Sequence, residues 1–173
     1  KFWNDKKDKK FKDAYFNRFH DTWHHGDFAE IKKTRGFIIH GRSDTTLNPG
    51  GVRLGTAEIY SEVEKFKEIK ESIVVGQSWD NDVRIVLFIV MNEKFILSED
   101  LLKKIKLQIR KNASPRHVPS KVIVVKDIPR TKSGKIVELA VKNTIEGNNI
   151  KNKEALANPK ALEQFKNFKE LTY

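Results

Sequence analysis

The sequence predicts an α+β fold: a small three-stranded sheet flanked by helices and preceded by a short β-rich segment. Three observations carry the prediction. From about residue 44 to residue 147, helically periodic segments and apolar runs of strand length follow in the order helix, strand, strand, helix, strand, helix. Proline and glycine punctuate the joins between them. Residues up to about Arg42 read differently, with two of the three tryptophans, four of the five histidines and short apolar stretches such as Phe37-Ile38-Ile39, a pattern of small strands and turns rather than a helix-rich core.

Each element has a local reason. Leu47-Asn48-Pro49-Gly50-Gly51-Val52 is a hairpin-like turn, since Pro49 fixes one dihedral and the glycines permit positive φ. Thr56 is placed to cap a helix whose apolar positions Ile59, Val63 and Phe66 share one face. Ile73-Val74-Val75 reads as a short buried strand, and Arg84 to Met91 as a longer one that is apolar on both sides. Ser98, with Glu99 and Asp100 behind it, starts a second helix that turns Leu101, Leu102, Ile105 and Ile109 inward and stops before Pro115. Val122 to Val125 is the third strand, and Ile136 to Ile145 a third helix ended by Gly147. The chain is polar after that, until Asn158-Pro159, a cap with proline at the first helical position, starts a helical pattern with Leu162, Phe165 and Phe168 on one side.

At 173 residues, 38% apolar and 33% charged, the chain suits one domain, or a domain with a flanking piece, and is large enough to bury a core. The longest apolar run, Val83 to Met91, is strand-sized and contains Arg84, so no membrane partner is expected. The lack of cysteine excludes disulfides and thiolate zinc sites and accords with a reducing, cytoplasmic setting. Lys1 is followed by no apolar leader, which reads as an internal start and the C-terminal piece of something longer. The formal charge is +11, but the lysines are spread through the chain and aspartate interrupts the only run, Lys6-Lys7-Asp8-Lys9-Lys10. No zinc-finger, basic-helix or RNA-stacking pattern accompanies that charge. No nucleic-acid partner is therefore expected; the excess is a solvated surface with some attraction for polyanions such as nucleotides.

Two segments say more than composition does. The first is Gly41-Arg42-Ser43-Asp44-Thr45-Thr46-Leu47-Asn48-Pro49-Gly50-Gly51-Val52-Arg53-Leu54-Gly55-Thr56-Ala57-Glu58-Ile59-Tyr60, and the second is Pro129-Arg130-Thr131-Lys132-Ser133-Gly134-Lys135-Ile136. Gly134-Lys135 is not a Walker phosphate loop, because the first glycine is missing and Ile136 stands where Ser or Thr would hold magnesium. Taken alone, Lys135 is a solvated lysine where a loop opens into the third helix. Glu58 alone is an acid favoured in the first turn of a helix, and Arg110 alone a cation favoured in the last. His24 and His25 are sequential and splay apart on a strand, so no metal site is assigned to them.

Together, in this order and at this separation, the two segments resemble the hinge segment and catalytic-lysine loop of the adenylate-forming enzymes, the family of acyl- and aryl-CoA synthetases, luciferases and nonribosomal-peptide adenylation domains. Pro129, Thr131, Ser133, Gly134 and Lys135 match that family's Pro-x-Thr-x-Ser/Thr-Gly-Lys loop. The resemblance implies that Lys135 reaches the carboxylate and the α-phosphate of ATP and offsets charge as the acyl-adenylate forms. Trp23-His24-His25-Gly26-Asp27-Phe28 is similar to the family's Thr-Gly-Asp segment, with His25 in place of Thr, which implies that Asp27 accepts from both ribose hydroxyls. In Gly-Arg-x-Asp, the resemblance implies that Arg42 contacts the ribose or phosphate side of the nucleotide. Asp44 is then the pivot on which the domain swings, a role that needs a tolerant backbone rather than reactivity. Arg53 matches the arginine after the hairpin glycine, a nucleotide-side residue, and Glu58 the glutamate of the following helix. Gly50 and Gly51 match a hairpin that approaches the thiol of coenzyme A, and Arg110 aligns with an arginine that holds coenzyme A phosphate.

The resemblance covers almost the whole chain and implies its organisation: residues 1–43 as the incomplete end of a large AMP-binding domain, residues 44–147 as a mobile C-terminal lid, residues 148–173 as a partly helical extension. The Trp-His-His-Gly-Asp string, Ala113-Ser114-Pro115-Arg116-His117-Val118-Pro119 and Ala155-Leu156-Ala157-Asn158-Pro159-Lys160-Ala161-Leu162-Glu163 look like the acetoacetate-activating branch rather than the acetate-activating one. The implied chemistry is acid–thiol ligation in two steps, in which acetoacetate and ATP give an acyl-adenylate and pyrophosphate and coenzyme A then displaces AMP. ATP, with Mg2+ held mainly by the N-terminal domain, is the implied cofactor and coenzyme A the co-substrate; the remaining partner is the N-terminal domain of the same polypeptide. Nothing in the chain resembles the family's Ser/Thr/Gly-rich phosphate loop, so the chain by itself is expected to be inactive. An acetate- or propionate-activating ligase and a non-catalytic basic binding module are the alternatives.

Overall fold

The structure, a computed structural model, describes residues 2–150 and 152–173. Strands β1 (Asp27–Ile31) and β2 (Phe37–Arg42) pair antiparallel into a two-stranded sheet, with an irregularity between Phe28 and Ala29. Ahead of them lies α1 (Lys9–Tyr15), a helix where the sequence predicts only strands and turns. The Asp5 carboxylate accepts from the Lys10 and Phe11 N–H groups at 2.8 Å each, satisfying donors that the start of a helix leaves open. Phe11 and Tyr15, one turn apart, pack with Trp23, whose ring stacks on Tyr15 at 4.0 Å.

The central sheet has the order β3-β4-β5, with β3 (Ile69–Trp79) antiparallel to β4 (Asp82–Met91) and β4 parallel to β5 (Lys121–Val124). Asp80 and Asn81, at φ of 49° and 58°, make the two-residue turn from β3 to β4, a backbone setting that suits the twist of paired strands. β3 extends well beyond the apolar run Ile73–Val75, because the ladder with β4 also pairs Glu71, Gln77 and Ser78, polar residues that an apolar pattern does not mark. Side chains alternate across the sheet: Ile73, Val75, Val86 and Phe88 enter one core, and Val74, Ile85, Leu87 and Ile89 the other. Burial on both faces is why Ile85 to Val90 reads as one apolar run.

Helices α2 (Ala57–Val63) and α3 (Glu99–Asn112) close one face through Ile59, Val63, Leu101, Ile105 and Ile109. Ser98 caps α3 as predicted, its hydroxyl accepting from the Leu101 N–H at 3.2 Å. Thr56 does not cap α2. Its backbone is already helical at φ −78° and ψ −23°, and only its carbonyl serves the helix, accepting from Ile59 and Tyr60. Phe66 lies past the end of α2 and is half-buried, as is Leu102.

The opposite face is closed by α4 (Glu138–Ile145) and by the last part of the chain, where Leu156, Leu162, Phe165 and Leu171 are buried together with Phe88, Ile128 and Val141. That tail is three 3₁₀ turns, Lys153–Ala155, Pro159–Phe165 and Lys169–Leu171, not one α-helix. Asn158 does not cap it, because its amide oxygen accepts from the Arg130 N–H while its amide N–H groups donate to the Asp127 carboxylate and the Ile128 carbonyl. The buried Arg84 explains a charge inside the longest apolar run: it donates to Gln77 and to the Leu171 and Tyr173 carbonyls, and lies 3.7 Å from the centre of the Trp79 ring. No helix of the described residues is long and apolar enough to cross a membrane.

Candidate functional site

Because α4 starts at Glu138 rather than Ile136, Lys135 stands in a loop and does not open a helix. The loop is a small hairpin closed by an antiparallel bridge between Arg130 and Ile136 and tied to the tail by a second one between Thr131 and Leu156. Inside it the Thr131 N–H donates to the Lys135 carbonyl at 2.8 Å and the Lys135 N–H to the Thr131 hydroxyl at 3.0 Å. Gly134 turns the chain at φ +83°, a setting that a side chain strains. Lys135 is exposed, and its ammonium makes no hydrogen bond or ion pair with the described residues.

The loop forms one wall of a cleft of about 680 Å³, and Arg42, Asp44 and Thr45 line it with Thr131, Lys135 and Leu139. Residues from the hinge segment and from the lysine loop, some ninety positions apart, therefore meet in one cavity. Arg42 lies between two carboxylates, 3.5 Å from Asp27 Oδ1 and 3.4 Å from Asp44 Oδ1, and donates to the His25 carbonyl at 3.1 Å. Gly26 makes this possible, since a Cβ there would stand 2.6 Å from the Arg42 guanidinium. These are exposed, long pairs that add little to stability, and they leave Arg42 accessible to a ligand.

Gly50 and Gly51 occupy a different place. At φ +59° and +75° they turn the chain between Leu47 and Leu54, which exchange both backbone hydrogen bonds, and the Gly50 N–H donates to both Asp82 carboxylate oxygens at 2.9 Å. A Cβ on either glycine would meet nothing within 4 Å, so positive φ and not crowding favours glycine there. Beside them a second cleft of about 410 Å³ is lined by Pro49, Trp79, Asp82, Arg84 and Arg116. Arg53 and Arg110 are exposed and line neither cleft; Arg110 sits in the last turn of α3.

Sequence reasoning misses the groups that hold these segments. The Arg130 guanidinium donates to the Gly134 carbonyl at 2.9 Å and pairs with Glu71 on β3 at 3.0 Å. Arg130 lies inside the lysine motif at a position where the family pattern specifies nothing, and Glu71 carries no local signal. The Tyr60 hydroxyl donates to Glu138 at 2.5 Å and accepts from the Val74 N–H, tying α2 to the first turn of α4. Burial, with the Glu138 carboxylate adding to it, pushes the Tyr60 hydroxyl well above its ordinary pKa. Glu58, read alone as a first-turn acid, meets His40 Nδ1 at 2.7 Å and so joins α2 to β2 across the hinge segment.

Residues 58–135 match the family model of the AMP-binding enzyme C-terminal domain. Over that stretch the chain is similar to that domain. Over 98% of its length it is 58% identical to the acetoacetyl-coenzyme A synthetase of Rhizobium meliloti (strain 1021), and over the same share 48% identical to the acetoacetyl-CoA synthetase of Xenopus tropicalis. It spans 26% of each of these relatives, about a quarter of their length. Among solved structures, acetoacetyl-CoA synthetase from Streptomyces lividans superimposes with a TM-score of 0.88 at 38% identity, over 95% of this chain and 25% of that one. An ATP-bound RpMatB-BxBclM chimera matches with a TM-score of 0.66 at 26% identity, over 80% of this chain and 27% of that chain. The α+β arrangement, a three-stranded sheet between helices, is thus that of the AMP-binding C-terminal domain.

Proposed function

We propose that this chain is part of an ATP-dependent acid–CoA ligase that takes acetoacetate. The observation that carries the reading is the cleft that gathers Lys135, Arg42 and Asp44, with Asp27 paired to Arg42 behind it. The identity of the relatives along the whole chain supports the substrate. In the first step the acetoacetate carboxylate oxygen attacks the α-phosphorus of ATP and pyrophosphate leaves. Lys135, on an exposed loop and with an ammonium that has no partner among the described residues, offsets the charge that builds on the reacting oxygens. Asp27 takes the ribose hydroxyls, Arg42 the ribose or phosphate side, and Arg53 adds a cation to the nucleotide. In the second step the coenzyme A sulfur, having lost its proton, attacks the acyl carbon and AMP leaves. Gly50 and Gly51 let the thiol arm come close, and Arg110 takes a phosphate of coenzyme A.

One reactive centre cannot be served by both ends of the sheet at once. The Lys135 loop is held to Glu71 and the glycine turn to Asp82, which pairs with Trp79, so roughly 25 Å of β3 lies between them. This supports rotation about Asp44, with residues 44–147 as the moving lid, residues 1–43 as the end of the larger nucleotide-binding domain and residues 148–173 as an extension. The magnesium that accompanies ATP would be held mainly by the larger N-terminal domain. A cytoplasmic setting belongs to the same proposal.

The test is Lys135→Ala in the full-length protein. Acetoacetate-dependent exchange of pyrophosphate into ATP should fall by about 100- to 1000-fold. Thioester formation from preformed acetoacetyl-adenylate should stay near the wild-type rate. Equal loss in both half-reactions would refute the division of labour.

A further inference from the structure

We propose that Arg130 is the positioning residue of Lys135: it locks the peptide plane from which the lysine side chain departs and is itself aimed by Glu71. The inference rests on the reading of Lys135 above. The peptide unit between Gly134 and Lys135 has two polar groups, and a side chain holds each. Its carbonyl, on Gly134, accepts from Arg130 Nη1 at 2.9 Å; its N–H, on Lys135, donates to the Thr131 hydroxyl at 3.0 Å. Thr131 belongs to the lysine motif, but Arg130 fills a position the motif leaves open.

The lock matters because of what surrounds that peptide. Gly134 has φ +83° and nothing stands within 4 Å of where its Cβ would be, so no contact at that position steadies the plane. A turned plane redirects Cα–Cβ of Lys135, whose ammonium has no partner among the described residues, so beyond the two bonds to Thr131 the lysine depends on a further constraint on that plane. Arg130 supplies one from a rigid base. Its second nitrogen meets Glu71 at 3.0 Å on β3, a strand paired along its length with β4, and its own backbone N–H donates to Asn158. The planar guanidinium spans both acceptors, which a lysine ammonium on a flexible stem does not do with fixed geometry. Arg130 lies behind the loop: it is absent from the walls of the Lys135 cleft and lines a smaller cavity of about 230 Å³ with Glu71, Tyr60 and Ile136. It therefore acts through Lys135 and not on the nucleotide.

The full-length protein tests this with Arg130→Ala, Glu71→Gln, Lys135→Ala and the double variant, each assayed in both half-reactions. Arg130→Ala and Glu71→Gln should each lower kcat of adenylation by about 10-fold or more, the loss expected when a reacting group is misplaced by a fraction of an ångström, with KM for ATP changed by less than about threefold. Thioester formation from preformed acetoacetyl-adenylate on the same preparations should be unchanged, which shows that the variants are folded. In the Lys135→Ala background, Arg130→Ala should cost less than about twofold further, since two residues that act as a unit do not add. Wild-type adenylation by Arg130→Ala beside a defective Lys135→Ala overturns the positioning role and leaves the reading of Lys135 standing. Full additivity in the double variant, or equal loss in both half-reactions, overturns it as well. Wild-type adenylation by Lys135→Ala overturns the reading of the lysine and the inference with it.

Discussion

Phe165→Ala tests whether the tail is part of the core that carries the lysine loop. Phe165 is fully buried, and its ring meets Phe88 edge-on at 4.9 Å between centroids and Phe168 at 6.3 Å. Removing a buried phenyl ring costs about 3–5 kcal/mol, the spread depending on how far the site collapses. Collapse is limited here, since Phe88 sits on β4, the central strand, hydrogen-bonded to a neighbour on either side. The edge-to-face contact with Phe88 adds about 0.5–1.5 kcal/mol that an aliphatic replacement also loses. The expected loss is about 4 kcal/mol for Phe165→Ala and less than half of that for Phe165→Leu. Urea unfolding followed by circular dichroism measures it, with the slope of the transition checked for constancy. A loss under about 1 kcal/mol at unchanged slope would show that the tail docks weakly and lies outside the cooperative unit.

Other expectations concern the two ends of the sheet and the helices. In the full-length protein, Gly51→Leu should lower thioester formation by about 100-fold while sparing pyrophosphate exchange, because its side chain would project into open space beside the second cleft. If exchange falls as far, the turn is only structural. Glu62 is buried and accepts from Lys65, Gln108 and Asn112, with Lys65 the main cause of a carboxyl pKa below its ordinary 4.5. A group whose pKa is lowered by folding stabilises above its unfolded value, and that contribution disappears as pH falls through the folded value. The melting temperature of wild type should therefore exceed that of Glu62→Gln at pH 7, and the gap should close on acidification below 4.5; a gap that persists at low pH contradicts the assignment. The full-length protein should prefer acetoacetate over acetate by at least about 10-fold in kcat/KM, since a site built to bond the keto oxygen leaves its own donor unpaired without it. Equal use of acetate removes the substrate assignment and leaves the two-step chemistry untouched.

How much of this was legible follows from what kind of signal each residue leaves. Ser98 announced α3 because a cap is a local event, decided within four residues by one hydroxyl and one N–H. Thr56 stood in the same kind of sequence and failed, since the chain entering α2 from the bridge at Leu54 is already helical at Thr56. The extent of β3 was hidden because its polar ends are strand only by pairing with β4. The missed helix α1 left only Asp5 and a one-turn aromatic spacing as traces.

By itself the sequence determined the order of the elements from α2 to α4, the two-sided burial of β4 and the lysine loop with its glycine, because hydrophobic period, caps and positive φ are properties of short stretches. Only the tertiary structure decided that Arg42 and Asp44 share a cleft with Lys135, that Gly50 and Gly51 lie at the far end of β3, and that Arg130 reaches Glu71 from behind the loop. The physical reason is that these are meetings of side chains far apart in the chain. Their geometry is set by strand register and by the packing of α2, α4 and the tail on the two faces of one sheet, and no local pattern of residues encodes it.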